Sequence, residues 1–568
     1  MSNKLELTWY NKYKQKNIEP RILVENKEKS YGDQDTENML IHGDNLLALK
    51  ALENKYANQI KCIYIDPPYN TGNAFEYYDD NIEHSMWLNL MYDRIKILHK
   101  LLSDDGTFIV QLDAQEMHYC KIILDEVFGR DKFVAQVTYE RSGVGGIGQG
   151  GALINTGEYI LIYQKKEKHI NKVKSYMPIE FKTMKRYNKI LKDFGTKELV
   201  REFISKSNGE KVKVYKHSNY EIDTFSFKNK IDNDELRLEY GKEYERLFRS
   251  FLIQKENAFQ QDIIKDMDKS CLYSIEYIPS RGKYEGKLTN LYYINKELIG
   301  WLKDSAFIES GMIVKENKLT NIWSNSEIPK ADLPNEGQVT FPRNKKPEQL
   351  IKRLLDMFTE EGDLILDSFL GSGTTCAVAH KMKRKWIGIE LGDHCYTHCI
   401  PRIKNVINGI DKSGISKSVN WKGGGGYKFY ELAPSLINID SFGEPVINKE
   451  YNAEMLAAAV ALHEGFKYNP SNEKFWKQSV GNENSYLYVT TKFVTKNDIN
   501  KIKEEMNDAE YLVIACTAYD KEIDGLYKNI KIKKIPEMLL SKCEFGKDNY
   551  NLNIINPPEY EEEYEEDE

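Results

Sequence analysis

The chain has 568 residues, which is too many for a single hydrophobic core and corresponds to roughly three or four folding units. Hydrophobic residues make up 41% of it, and no apolar run is long enough to cross a bilayer or to serve as a secretory signal, so we expect a cytoplasmic protein and no membrane partner. The eight cysteines are sparse and scattered, which is typical of reduced thiols rather than of a disulfide framework.

The charge of the chain is unevenly distributed. The formal net charge is −7, but eight acidic residues lie between Glu559 and Glu568, and the rest of the chain has 80 basic against 79 acidic residues. We therefore expect an acidic, solvated tail. The strongest basic bias lies between Lys165 and Lys192, with ten Lys or Arg against two Glu. These basic side chains either contact the phosphate groups of a nucleic acid or are simply exposed to solvent, and the sequence does not distinguish the two interpretations. Its candidate contacts are Lys182, Lys185, Arg186 and Lys189.

Strands and helices alternate in the first part of the chain, a pattern typical of a doubly wound α/β sheet. The predicted strands are Met39–Ile41, Ile60–Ile65, Thr107–Leu112 and Tyr159–Tyr163, and the predicted helices are Leu46–Lys55 and about Met86–Leu102.

The alternation stops after Lys165 and resumes after about Thr320. The intervening sequence is charged, rich in Tyr and Asn, and typical of a separate insertion. One sheet is therefore expected to be built from two separated parts of the chain. The resumed pattern predicts helices over Pro347–Thr359 and Thr374–Met382 and strands over Leu364–Asp367 and Trp386–Glu390.

Asp66-Pro67-Pro68-Tyr69 directly follows the strand Ile60–Ile65. It lies at the carboxyl end of that strand, where open α/β sheets bind ligands. The prolines fix the backbone and lack N–H donors, which leaves carbonyl groups free to face a ligand. A carboxylate and a carbonyl can together accept both hydrogens of an exocyclic amine, and Tyr69 can stack on a base. The alternative is a rigid turn that Asp66 merely caps, and the position after a buried strand disfavours it.

A glycine loop joins a strand to a helix between Asp367 and Thr375. Glycines allow close approach of a ligand, and the free N–H groups of a helix start favour an anion. Glu390 ends the next strand, where an acidic side chain commonly accepts hydrogen bonds from ribose hydroxyls. This arrangement predicts a nucleoside site but does not distinguish a dinucleotide from S-adenosylmethionine. The candidate binding residues are Asp367, Phe369, Gly371, Gly373, Thr374, Thr375 and Glu390.

The two motifs together resemble the amino-methylating DNA methyltransferases. Asp-Pro-Pro-Tyr precedes Phe-x-Gly-x-Gly by about 300 residues, an order that resembles the circularly permuted β group of that family. Further stretches resemble the modification subunits of Type III restriction-modification systems. They are His42-Gly43-Asp44-Asn45, Asn70-Thr71-Gly72, Gln111-Leu112-Asp113, Gly157–Tyr163, Ser416–Trp421 and Tyr427–Leu432.

The resemblance implies a circularly permuted, Rossmann-like α/β sheet that uses S-adenosylmethionine, with an inserted target-recognition domain and a C-terminal α/β-like domain. It implies catalytic roles for Asp66, Pro67, Pro68 and Tyr69, and it adds Asp44, Asp66, Lys346 and Pro347 to the cofactor-binding residues. Gln111 stands where a small residue is more usual, so we assign it no role. The implied units are an N-terminal arm (1–38), a catalytic half (39–165), a target-recognition domain (166–320), a cofactor-binding half (321–412), a C-terminal domain (413–556) and an acidic tail (557–568).

The expected reaction is methyl transfer to the N6 amino group of an adenine flipped out of double-stranded DNA. The resemblance further implies a homodimer and a separate restriction subunit as partners. Asp rather than Ser before Pro-Pro-Tyr favours adenine over the N4 amine of cytosine. The remaining alternative is a specificity subunit that binds DNA for a partner nuclease without methylating it.

Three other segments need an interpretation. Gly143–Gly151 is either a loop that orders over DNA or cofactor, or a linker. His394–Cys399 places two His and two Cys four apart, but an ordinary packing helix is the favoured interpretation and no metal is predicted. Asn556-Pro557-Pro558-Glu559 lacks the aromatic fourth residue and is rejected as a second catalytic motif.

Overall fold

The computed structural model of the chain describes residues 6–14, 17–69, 84–141, 156–167, 170–171, 175–206, 208–228, 230–280, 284–309, 312–317, 319–325, 327–328, 333–341, 345–482 and 484–547. The chain forms two compact units. The first contains residues 1–172 and 320–568, and the second contains residues 173–319.

The amino-terminal part of the first unit alternates strands and helices as its sequence predicts. Helix α1 begins after Asp44 because the Asp44 carboxylate accepts the N–H groups of Leu46 and Leu47, at 2.9 and 3.1 Å. The elements are β1 (Leu23–Glu25), β2 (Tyr31–Gly32), β3 (Met39–His42), α1 (Asn45–Tyr56), β4 (Ile60–Ile65), α2 (His84–Leu101), β5 (Leu102–Leu112), α3 (Met117–Phe128), β6 (Phe133–Glu140) and β7 (Gly157–Gln164).

The second unit consists mainly of antiparallel strands. Its eight-stranded sheet has the order β10-β11-β14-β15-β16-β13-β9-β12, and β17, β18 and β8 form a smaller sheet. The elements are β8 (Ser175–Pro178), α4 (Phe181–Arg186), β9 (Lys189–Asp193), β10 (Thr196–Ile204), β11 (Lys211–Ser218), β12 (Glu221–Thr224), α5 (Asp234–Gly241), β13 (Leu247–Phe251), α6 (Ala258–Lys265), β14 (Leu272–Tyr277), β15 (Thr289–Ile294), β16 (Glu297–Trp301), β17 (Phe307–Glu309) and β18 (Met312–Asn317).

The carboxyl-terminal part of the first unit returns to alternating strands and helices. The elements are β19 (Ile322–Trp323), α7 (Glu348–Phe358), β20 (Leu364–Asp367), α8 (Thr374–Lys381), β21 (Lys385–Glu390), α9 (Ile400–Ile407), β22 (Gly426–Leu432), β23 (Ile437–Ile439), β24 (Pro445–Ile447), α10 (Ala453–Glu464), β25 (Lys467–Tyr468), β26 (Ser479–Val480), β27 (Ser485–Thr490), α11 (Lys496–Glu505), β28 (Tyr511–Cys516), β29 (Ile530–Lys534) and α12 (Glu537–Leu540).

The main sheet joins both parts of the first unit. Its order is β1-β22-β3-β21-β20-β4-β5-β7-β6-β19, with β2 paired to β22. The strands from β22 to β5 are parallel, and β7 is antiparallel to β5. The decisive pairing is β20 beside β4, with Ile365 opposite Cys62 and Leu366 opposite Ile63. This confirms the predicted α/β sheet built from two separated parts of the chain.

Helices cover both faces of this sheet. Residues of α1, α2 and α3 pack with the sheet in one apolar cluster, and residues of α7, α8 and α9 pack in another. Helix α7 buries Leu350, Ile351, Leu354, Leu355 and Phe358, whose spacing of three, four and seven residues forms one helical stripe. Each such side chain contributes roughly 1.5–3 kcal/mol when it leaves water.

A smaller sheet of five strands, β25-β26-β27-β28-β29, occupies the carboxyl-terminal part of the first unit. Its last three strands are parallel, and residues of α10 and α11 belong to two separate apolar clusters with this sheet. Within the described ranges, no helix is both long and apolar enough to cross a membrane.

Candidate active site

Five acidic side chains lie at the carboxyl ends of five adjacent strands. Because β3, β21, β20, β4 and β5 are parallel neighbours, the residues at their ends meet at one edge of the sheet. The sequence-predicted residues from both parts of the chain are thereby brought to the same edge. In strand order, the five residues are Asp44, Glu390, Asp367, Asp66 and Asp113.

Asp66 is held by two hydrogen-bond donors. The Tyr69 hydroxyl donates to Asp66 Oδ1 at 2.6 Å, and Lys346 Nζ lies 3.1 Å from Asp66 Oδ2. Lys346 Nζ also donates to the Tyr69 hydroxyl at 2.8 Å and lies 5.0 Å from the centre of its ring. Burial raises the pKa of Asp66, and the Lys346 charge opposes that effect. The Tyr69 ring is buried in this arrangement, so it must move before it can stack on a base.

The two prolines of the motif do not have equivalent carbonyl groups. The Pro68 carbonyl accepts the indole N–H of Trp87 at 2.7 Å, and Trp87 is fully buried in α2. The expectation of free carbonyls after both prolines is therefore wrong for Pro68. Its carbonyl binds the motif to α2, so a carbonyl that faces a ligand stays a prediction for Pro67 alone.

The Lys346 side chain contacts Asp66 and Tyr69 of the Asp-Pro-Pro-Tyr motif. The resemblance had instead implied that Lys346 binds the cofactor. Besides Asp66 and Tyr69, its Nζ contacts Glu158 Oε2 at 3.2 Å. Glu158 in turn accepts a hydrogen bond from Gln111, the residue to which the sequence assigned no role. Sequence reasoning missed Glu158 altogether. The available signal was an acidic residue inside an otherwise apolar strand, where a charge requires a partner.

The glycine loop has the backbone that its sequence predicts. Gly371 and Gly373 have φ angles of 56° and 81°, in the left-handed region that favours glycine. A Cβ atom added to Gly371 would meet nothing within 4 Å, whereas one added to Gly373 would lie 3.5 Å from Cys399. Gly371 therefore borders open space.

Two carboxylates hold this loop. Glu390 Oε2 accepts the N–H of Gly371 at 2.6 Å, and Oε1 accepts those of Leu391 and Gly392 at 2.8 and 3.1 Å. Asp367 Oδ1 accepts the N–H of Phe369 at 2.9 Å. Burial raises the pKa of Asp367 to about 7. Glu390 thus has a structural contact that the sequence did not predict.

A buried ion network supports the helix start behind the loop. Arg402 Nη1 donates to the Thr374 hydroxyl at 2.8 Å, and Arg402 Nη2 donates to Glu348 Oε1 at 2.9 Å. Lys381 Nζ donates to Glu348 Oε2 at 2.7 Å. Because Glu348 lies on α7, Thr374 and Lys381 on α8 and Arg402 on α9, the network connects these three helices. Pro347 precedes α7 as its N-cap residue. Thr375 is buried in the first turn of α8.

The sequence of this chain matches a known family. Residues 60–400 match the N6/N4 methyltransferase family, described as DNA methylase. The chain belongs to this DNA methylase family.

Relatives of the methylase include three modification subunits. It is 37% identical over 416 residues to the probable type III restriction-modification enzyme HindVI Mod subunit of Haemophilus influenzae, which covers 70% of this chain and 54% of that protein. It is 26% identical to the StyLTI Mod subunit of Salmonella typhimurium, over 63% of this chain and 51% of that protein. It is 24% identical to the EcoP15I Mod subunit of Escherichia coli, over 74% of this chain and 69% of that protein. The chain thus spans about half the length of the first two relatives.

The carboxylate of Asp44 is engaged within the methylase fold. Besides the N-cap of α1, its Oδ2 lies 3.5 Å from Arg94 Nη2, and both side chains are buried. The structure places Asp44 at the carboxyl end of β3, beside the end of β21 that carries Glu390. A role of Asp44 in binding the cofactor stays a prediction.

The four basic residues predicted to contact DNA lie in the second unit of the methylase. Lys182, Lys185 and Arg186 are exposed on α4, and Lys189 is half-buried at the start of β9. Lys185 Nζ lies 4.3 Å from the centre of the Phe181 ring. Asn70-Thr71-Gly72, Gly143–Gly151 and Asn556-Pro557-Pro558-Glu559 lie outside the described residues.

The segment His394–Cys399 of the methylase is not a regular α-helix. Cys395–Cys399 forms a π-helical turn, in which the Cys399 thiol donates to the Gly371 carbonyl at 3.1 Å. His394 Nε2 lies 3.0 Å from Glu390 Oε1. Within the part of the chain that the structure describes, no three or more His, Cys, Asp or Glu side chains form a group that could hold a metal ion.

Proposed function

We propose that this methylase transfers the methyl group of S-adenosylmethionine to the N6 amino group of adenine in double-stranded DNA. In this proposal it is the modification subunit of a Type III-like restriction-modification system. The observation that carries the proposal is the pairing of β20 with β4, which brings the glycine loop and the Asp66 motif to one edge of the sheet.

The residues at this edge fit S-adenosylmethionine. Open space next to Gly371 leaves room for the ligand, and the start of α8 favours its carboxylate. A carboxylate has about four acceptor positions, and three backbone N–H groups occupy three of those of Glu390, so Glu390 can accept one ribose hydroxyl while it holds the loop. When bound, S-adenosylmethionine supplies a methyl group activated by a sulfonium. The residues proposed to hold it are Asp44, Pro347, Asp367, Phe369, Gly371, Gly373, Thr374, Thr375 and Glu390. Asp66 and Lys346, which the resemblance added to this set, contact each other and are assigned to the substrate amine instead.

Asp66 and the Pro67 carbonyl act on the substrate amine. The N6 lone pair is delocalised into the purine ring and is a poor nucleophile. If Asp66 and the Pro67 carbonyl each accept one N–H, they favour a pyramidal nitrogen whose lone pair faces the methyl group in line. Bound S-adenosylmethionine would supply the methyl group, and its sulfur would keep the electron pair of the C–S bond, so the positive charge would pass to the nitrogen. The Asp66 carboxylate then accepts the proton that the nitrogen loses.

Tyr69 changes partners when the base enters. In the unliganded chain the Tyr69 hydroxyl donates its hydrogen bond to Asp66 Oδ1. When the substrate amine donates to that oxygen instead, the Tyr69 ring becomes available to stack on the base. Stacking of this kind contributes about 1–3 kcal/mol. The base must leave the duplex to reach this edge, which makes base flipping part of the reaction.

DNA is the proposed partner of the second unit, residues 173–319, which we assign to target recognition. Lys182, Lys185 and Arg186 present positive charge to phosphates, and Lys189 contributes less because it is half-buried. A second copy of the chain and a restriction subunit are further proposed partners, by analogy with the Mod subunits named above. An enzyme that modifies cellular DNA in this way works in the cytoplasm.

Methyl incorporation by the purified chain tests the proposal. Double-stranded DNA is incubated with the chain and tritiated S-adenosylmethionine, digested to nucleosides and separated by chromatography. We expect label in N6-methyladenine. Label in N4-methylcytosine contradicts the assigned base, and tight DNA binding without incorporation identifies a specificity subunit instead.

A further inference from the structure

Lys346 lies at the centre of a buried charge cluster. Its Nζ contacts Tyr69 Oη at 2.8 Å, Asp66 Oδ2 at 3.1 Å and Glu158 Oε2 at 3.2 Å. An ammonium group has three N–H donors, so these three oxygens account for all of them. Only 8% of Lys346 is exposed, so water competes weakly for these contacts.

Glu158 is the second carboxylate that holds Lys346. It lies on β7, is only 2% exposed, and accepts a hydrogen bond from Gln111 Nε2 on β5. Gln111 Oε1 accepts the Tyr64 hydroxyl of β4 at 2.8 Å, and Arg141 Nε lies 3.3 Å from Glu158 Oε1. Three neighbouring strands therefore fix Glu158, and Glu158 fixes the ammonium.

The cluster contains two carboxylates close to one ammonium. Burial raises the pKa of Asp66, Lys346 opposes this, and Glu158 adds to it. Burial also acts to raise the pKa of Glu158, but Lys346 and Arg141 outweigh it and hold that pKa below its usual value. The charged and titratable groups that face Asp66 are Lys346, Glu158, Tyr69, Tyr64 and Asp367.

We propose that Lys346 is a positioning residue for methyl transfer, held by Glu158 so that its ammonium orients the Asp66 carboxylate toward the substrate amine. This inference rests on the proposed function. Asp66 Oδ2 keeps its ion pair with Lys346. Asp66 Oδ1 loses the hydrogen bond from the Tyr69 hydroxyl and accepts one from the substrate amine instead. Glu158 and Gln111 act through Lys346 and do not touch the substrate.

Lys346→Met tests this role through steady-state kinetics. We expect kcat to fall about 100-fold at pH 7, the usual scale for losing one charge-stabilising donor. KM for DNA should change little. Without the ammonium, Asp66 stays protonated to a higher pH, and a protonated carboxyl accepts poorly. The rising limb of kcat against pH should therefore move to higher pH, and Lys346→Arg should keep the original limb and part of the activity.

Lys345→Met is the matched control. Lys345 is the neighbouring residue and is equally exposed, at 8%, but its Nζ donates to the carbonyls of Glu336 and Val339 at 2.8 and 3.1 Å. We expect this variant to lower Tm without shifting the rising limb of kcat against pH. If Lys346→Met also lowers Tm and leaves the pH limb in place, Lys346 is only a structural ion-pair partner and the inference is overturned.

A measurement on the unliganded chain separates this inference from the proposed function. Infrared difference spectroscopy follows carboxyl protonation with pH, and Asp66→Asn identifies the Asp66 band. Lys346→Met should raise the pH at which Asp66 protonates, and an unchanged titration overturns the inference. If the titration moves but the wild-type chain methylates no DNA, the Lys346 contact stands and the proposed function fails.

Discussion

The backbone N–H of Gly371 donates a 2.6 Å hydrogen bond to the carboxylate of Glu390, which joins the glycine loop to the end of the neighbouring strand. This bond holds the loop at the edge of the sheet while the Cα of Gly371 borders open space. A side chain at Gly371 would therefore occupy the position proposed for S-adenosylmethionine without disturbing the core.

Gly371→Asp should block the cofactor. We expect the affinity for S-adenosylmethionine, measured by calorimetry, to fall at least tenfold, or about 1.4 kcal/mol. Gly525→Asp is the matched control, because Gly525 also has a positive φ, 75°, and its Cβ would also meet nothing within 4 Å. Both variants should lose similar stability, but only the first should lose affinity. Normal affinity in Gly371→Asp would place the cofactor elsewhere.

Neutralising the basic residues of α4 should weaken binding to every DNA sequence. Replacing Lys182, Lys185 and Arg186 by Gln should reduce the slope of log affinity against log salt by about one for each lost phosphate contact. Adding Lys189→Gln should change the slope less, because that side chain is half-buried. The control replaces Lys492, Lys496 and Lys501, which are exposed lysines of the first unit, by Gln. It removes the same number of positive charges and should leave the slope unchanged. Equal slopes in the wild type and the α4 variant would assign these residues to solvent.

Tyr69 variants separate the ring from the hydroxyl. Tyr69→Phe and Tyr69→Trp keep an aromatic face, so both should retain much of the activity, whereas Tyr69→Ala should lose stacking worth about 1–3 kcal/mol. Fluorescence of 2-aminopurine at the target position reports flipping independently of methylation. Equal activity of Tyr69→Ala and Tyr69→Phe would show that Tyr69 does not stack on the base.

The alternation of strands and helices, together with the order of the two motifs, predicted one sheet built from two parts of the chain, but not the order of its strands. Strands Ile60–Ile65 and Leu364–Asp367 have the predicted bounds, because each is a short apolar run that ends at a polar functional residue. Their membership in one sheet followed from treating the segment between them as an insertion, whereas their direct pairing was not predicted. The glycine loop followed from glycines placed between a strand and a helix, and the structure adds that Gly371 and Gly373 have positive φ angles, which glycine adopts readily.

Side-chain contacts within the site could not be predicted in the same way. Lys346 and Asp66 are 280 residues apart, and a long side chain reaches several strand ends, so its partner depends on packing. Gln111 departed from the family pattern, and its contacts with Glu158 and Tyr64 became known only from the structure. The strands of the second unit were missed because some of them are exposed on both faces. In β10, for example, most residues are exposed, so its sequence lacks the alternation of apolar and polar residues that predicts a strand.

Methyl transfer by Asp66→Ala tests the central claim most directly. The variant removes the carboxylate proposed to accept the amine hydrogen but leaves the sequences of the glycine loop and the second unit unchanged. We predict that methyl incorporation falls at least about 1,000-fold while S-adenosylmethionine and DNA still bind, since a general base and a charge-stabilising acceptor are lost together. Asp105→Ala, in an exposed position, should methylate normally. Incorporation by Asp66→Ala at close to the wild-type rate would contradict the account.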